Sequence, residues 1–193
     1  MKDKGVDFQL TSGGAITSAF LERGISGFAA AMDYVKMIPY GRNHDKTHLL
    51  SVLSDHCGTC STKHALLKLL ADENGRQDIK LMLCLFRMNA QNTPAISGIL
   101  QSHGLDHIPE AHNYLRWERQ IFDVTFPGTH STIFVKELIS EVEIEPQQIT
   151  GFKVNFHKEY LRNWLKNTAA NITIDELWEI REACIKRLGH TSA

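Results

Sequence analysis

Cys60 stands in the run Cys57-Gly58-Thr59-Cys60-Ser61-Thr62-Lys63-His64, a thiol-bearing turn that leads into an amphipathic segment. Leu66, Leu69 and Leu70 recur at helical spacing, Thr59 or Ser61 can cap the first free amides, and Asn74-Gly75 supplies a stop, so a helix is expected to begin close to Cys60. A sulfur held at a helix N-terminus lies in the positive end of the peptide dipoles, which favours thiolate over thiol and lowers a cysteine pKa from roughly 8.5 toward neutrality. That residue would be a nucleophile. A nucleophile needs a base and the base needs an orienting group. The stretches Ala111-His112-Asn113-Tyr114-Leu115-Arg116-Trp117 and Gln120-Ile121-Phe122-Asp123-Val124-Thr125 offer both on two strand-like segments.

The order Cys, His, Asp, with Gly-x-Cys opening a helix, His-x-aromatic on one strand and Asp-x-Thr on the next, resembles the transglutaminase-like superfamily of papain-type cysteine enzymes. The likeness covers about residues 55–126. It implies a papain-like core with Cys60 as nucleophile, His112 as base and Asp123 as the group orienting the imidazole, acting on a peptide, protein or small acyl-amide substrate. It implies no cofactor. The families resembled often draw a second oxyanion donor from a Trp or Gln upstream of the cysteine. Here the first Trp is Trp117 and Gln9 is the only earlier Gln, leaving Tyr40 as the substitute.

Other chemistry is conceivable with the same side chains. His56, Cys57, Cys60 and His64 form a dense group of zinc-type ligands around a Cys-x-x-Cys, and the same two thiols could form a redox pair. A second pair of zinc ligands would have to come from scattered histidines such as His103 and His107, and the segment before Cys57 does not read as the strand of a thioredoxin-type unit. A binding protein of the same fold without turnover is the remaining alternative.

The elements needed to position these residues can be read in outline. Phe28, Ala31, Met32 and Val35 share one helical face, and residues 48–53 suggest a short helical turn. Asp78 to Phe86 is nearly all apolar, as expected of a buried strand holding Cys84 in the core. Residues 89–110 lack a period and read as a long connection that could border the substrate cleft. Further strands are expected at Thr132–Val135, Glu141–Ile144 and Phe152–Phe156, then C-terminal helices over 158–189, the second capped by Thr173 with Glu176. The expected architecture is a single α+β domain over 1–193, with helices packed on an antiparallel sheet.

A formal charge of −1 provides no electrostatic footprint for nucleic acid. The first residues lack an apolar core of signal-peptide length, no run approaches a membrane span, and four unevenly placed cysteines are not a secreted disulfide scaffold. These features predict a soluble, cytoplasmic protein without a nucleic-acid or membrane partner. One geometric expectation concerns the hairpin: a two-residue loop at Glu118-Arg119 pairs Trp117 with Gln120 and brings His112 and Asp123 to one face of the sheet as diagonal neighbours, a four-residue loop also keeps them on one face, directly opposite, and a three-residue loop would separate them.

Overall fold

The computed structural model describes residues 6–128, 133–168 and 172–190. Within them the chain runs through α1 (Ala15–Leu21), α2 (Phe28–Met37), α3 (Ser51–Ser54), α4 (Cys60–Glu73), β1 (Ile79–Asn89), α5 (Ser97–Ser102), β2 (His107–Trp117), β3 (Gln120–Phe122), β4 (Leu138–Ile144), α6 (Gly151–Lys166) and α7 (Ile174–His190). The strands form one antiparallel sheet in the order β3-β2-β1-β4, so the class is α+β with helices on an antiparallel sheet, as the sequence predicts. No described helix is long and apolar enough to cross a membrane.

Helix α4 begins where the local chemistry directs. Thr59 is its N-cap, and Thr59 and Thr62 satisfy each other's amides in a capping box. Gly75, in the left-handed region at φ 75°, follows the C-cap Asn74. The far end of α4 also secures the N-terminal segment: the Glu73 carboxylate accepts the Ile16 and Thr17 amides at the start of α1, and Asn74 accepts those of Thr11 and Ser12. One face of the sheet (Leu81, Leu83, Leu85, Ala111, Leu115) packs with Leu66, Leu67 and Leu70 of α4. The other face, with Met82, Cys84 and Tyr114, packs with Phe134 and with Leu161, Leu177 and Cys184 from α6 and α7.

Several boundaries differ from expectation. The segment Phe152–Phe156 is not a strand but the first turns of α6, which buries Lys153, His157 and Leu161 at four-residue spacing; the C-terminal helices therefore span 151–166 and 174–190 rather than 158–189. Thr132 lies outside the described residues, and Ile133 to Val135 enter a 3-10 turn (Phe134–Glu137) instead of a strand. The connection at 89–110 is shorter than it reads, because both flanking strands extend into it and it holds a 3-10 turn and α5. Strand β3 stops at Phe122, so Asp123 lies just past its end. The loop is the two-residue one: Trp117 pairs with Gln120 and Leu115 with Phe122, and Glu118 takes the positive φ of 53° that so tight a reversal needs.

Because the capping box fixes where α4 starts, Thr59→Ala is expected to lower stability by about 1 kcal/mol, measured as a reduced urea midpoint with an unchanged slope.

Candidate functional site

Cys60 is the first residue of α4 and is 9% exposed. Its backbone N–H belongs to the helix's first turn, where no intrahelical acceptor exists. Two cations and one amide converge on its sulfur. His112 hydrogen-bonds to it, the Asn113 amide donates to it, and the Lys153 ammonium lies 3.7 Å away. Burial alone would push this thiol up; Lys153 first and His112 second more than reverse that and bring it down to about 6. The neighbouring Cys57 thiol moves the other way, raised by burial and by Asp55. Cys84 and Cys184 are fully buried and raised as well.

The hairpin delivers the expected pair. His112 Nε2 and Asp123 Oδ2 are 3.0 Å apart, with side chains 12% and 11% exposed, which leaves Nδ1 for the sulfur. Burial disfavours the imidazolium, but the Asp123 carboxylate and the Cys60 thiolate outweigh it and raise His112 to about 10. The second Asp123 oxygen accepts from the Thr125 amide (2.9 Å) and hydroxyl (2.5 Å), so the Asp-x-Thr spacing has a physical use. Although burial opposes ionisation, His112 holds the Asp123 carboxyl well below the usual carboxylate range.

Two further side chains of α4 hold this strand end against the helix. His64 donates from Nδ1 to the Cys60 carbonyl (2.7 Å) and accepts the Val124 amide at Nε2 (2.9 Å); burial lowers it to about 4 and keeps it neutral. Lys63 is completely buried, and its ammonium donates to the carbonyls of Ile38 (2.5 Å) and Thr125 (2.9 Å). Gly58 is glycine for a related reason, since a Cβ there would meet the Lys63 side chain at 2.9 Å. With both His64 nitrogens occupied, the His56, Cys57, Cys60, His64 group does not assemble around a common point. No described set of three His, Cys, Asp or Glu side chains converges as a metal site.

Sequence reasoning missed Lys153. Its Nζ donates to Asn113 Oδ1 (2.7 Å) and Ser61 Oγ (2.8 Å), while Ser61 donates to the same Asn113 oxygen (3.0 Å) and Asn113 Nδ2 to the Met82 carbonyl (3.0 Å). Two of its three N–H groups thus have neutral acceptors and the third is available at the sulfur. The signal was present in the stripe Lys153, His157, Leu161, Trp164, a helical face with a cation at its first position. A second missed pair, Glu110 with Arg181 at 2.5 and 2.9 Å, ties β2 to α7 beneath the thiol.

Cys60 opens on two cavities. One, of about 330 Å³, is walled by Phe86, Met88, Phe126, Phe134, Ile185 and Leu188, with Asn92 to Ala95 of the former long connection at its lip; His112 and Asp123 line this cavity alone. The other, of about 600 Å³, has mostly polar and charged side chains around it, among them Arg42, Lys46, Thr59, Ser61 and Lys153, with Trp178 beside them. Tyr40 borders both, stacked on Phe126 with ring centroids 4.9 Å apart.

No protein-family model, curated protein or solved structure matches this chain.

Iodoacetamide should alkylate Cys60 far faster than Cys57, Cys84 or Cys184, with a half-maximal rate near pH 6. His112→Ala and Lys153→Met should each raise that pH, because each removes a positive charge that favours the thiolate. Asp123→Asn should raise it less, and Cys57→Ser should leave it unchanged. Peptide-resolved mass spectrometry across pH measures all of these.

Proposed function

We propose that the protein is a cysteine-dependent acyl-transfer enzyme of transglutaminase-like type, which hydrolyses an amide or peptide bond through a thioester on Cys60. The observation that carries this reading is the buried array of thiol, imidazole and carboxylate, with His112 bonded to Cys60 on one side and to Asp123 at 3.0 Å on the other. In the proposed reaction the thiolate attacks the acyl carbon and forms the S–C bond. His112 gives its Nδ1 proton to the departing amine as the C–N bond breaks, then takes a proton from the acceptor that cleaves the thioester. Asp123 and Thr125 keep the ring in orientation throughout.

The oxygen that becomes negative during attack needs donors. The unpaired Cys60 N–H is one, and Lys153 is the second: as charge leaves the sulfur for the oxygen, the third ammonium N–H is within reach of both. This assigns to Lys153 the part for which the sequence suggested Tyr40. A soluble, cytoplasmic setting, without a nucleic-acid or membrane partner, accords with the charge and with thiols kept free.

The test is a burst experiment with 4-nitrophenyl acetate. One equivalent of nitrophenol should appear rapidly, with an acetyl group recovered on the Cys60 peptide; no burst, or acetyl elsewhere, would refute the reading. The acylation rate should form a plateau flanked by half-maxima at about pH 6, where the thiolate is protonated, and at about pH 10, where the imidazolium is lost. Cys60→Ala should abolish the burst, and His112→Ala should slow it by about 10²–10⁴.

A further inference from the structure

The two cavities meeting at Cys60 are chemically unlike, and the catalytic groups divide between them. His112 and Asp123 line only the apolar cavity; Thr59, Ser61 and Lys153 line only the polar one. If the thiol acts as proposed above, that division orients the substrate. The departing group must receive its proton from His112, so it occupies the His112 side. The carbonyl oxygen must meet the helix start and Lys153, so it lies on the polar side.

We infer that the apolar cavity is the leaving-group subsite and that it takes the apolar, ring-bearing amine or phenol side of the scissile bond. This rests on the acyl-transfer reading and adds to it the class of substrate. Size and character agree. A cavity of roughly 150 Å³ lined by aliphatic and aromatic side chains accepts benzene, so about 330 Å³ between Phe86, Phe126 and Phe134 accommodates a substituted single ring. The polar side chains that reach the cavity are already committed to one another, Glu110 to Arg181, Asp123 to His112 and Thr125, and Thr93 to Asn92, so the rest of the wall offers an incoming group mainly carbon. Attack and departure retrace one path: the leaving amine takes the Nδ1 proton as C–N breaks and C–S holds the acyl group. An incoming amine returns a proton to Nδ1 as C–N forms and C–S breaks, restoring the thiolate. The same subsite therefore selects the amine in both directions.

That symmetry supplies the experiment. Enzyme acetylated with 4-nitrophenyl acetate is challenged with benzylamine or with 2-methoxyethylamine, two primary amines of closely matched basicity. Benzylamine should discharge the thioester at least tenfold faster, saturably, with N-benzylacetamide as product. Ala95→Trp, which places a ring in the cavity from its half-buried lip, should reduce that preference. Independently of turnover, 4-ethylphenol added to Cys60→Ala protein should shift the Met88 methyl resonance and leave the Trp178 indole resonance unmoved, as these report on one cavity each. A normal burst followed by equal rates with the two amines, or an ethylphenol shift at Trp178 instead of Met88, would overturn the subsite while leaving acyl transfer intact. Absence of any burst would remove the acyl-transfer reading and the leaving-group role with it.

Discussion

A sulfur anion that is 9% exposed cannot draw on bulk water for its stabilisation, so its counter-charges must come from the protein. Here they arrive from two separate elements, His112 from β2 and Lys153 from α6, with the dipole of α4 added to them. Each counter-charge is itself costly to bury and so carries its own support. Asp123 and Thr125 hold the imidazolium; Ser61 and Asn113 hold the ammonium. The same arrangement makes the pair's contribution to stability level over a wide range. Between pH 6.5 and 9.0 the folded pair keeps one proton, on His112, and the unfolded pair also keeps one, on the thiol. Equal proton counts mean no pH slope. Above that window only the folded pair retains its proton, and the contribution falls as pH rises toward about 10.

Residues Lys63 and His64 show how much of the site is built from a single turn of helix. Cys60 presents the sulfur, Lys63 grips the carbonyls of Ile38 and Thr125, and His64 grips the Val124 amide. The segments at Ile38 and at Val124 to Thr125 are thus bound to the element that carries Cys60. His64 acts through its neutrality and Lys63 through its charge, although burial lowers the latter to about 8.

Cys60, His112 and Asp123 were legible because each is marked by local rules. A capping pattern locates the helix start, and a two-residue loop fixes side-chain parity across the hairpin, so the His112–Asp123 contact follows from counting. Lys153 was not legible by the same means. Phe152-Lys153-Val154-Asn155-Phe156 alternates apolar and polar residues and so satisfies the strand period over five positions. Only the longer stripe through His157 and Leu161 shows the helix, and nothing local places it 93 residues back in the chain, beside Cys60. The cavities were illegible for a related reason: their walls come from strands, loops and α7, which only the tertiary packing brings together.

Strand β3 covers β2 only as far as Leu115, and among the described residues no other strand pairs with β2 beyond that point on the same side. A bare strand edge is a template for a foreign strand and a route to aggregation. At the opposite margin of the sheet β4 is protected by charge, with Glu141 and Glu143 paired to Arg116 and Lys80. On β2 the protection is of another kind. The Asn113 amide, which an added strand would claim, is already given to the Cys60 sulfur, and Ser61 of α4 bonds to the Asn113 side chain beside it. The early end of β3 thus exposes one backbone donor to two competing uses, and the sulfur that takes it also keeps the sheet from growing at that point.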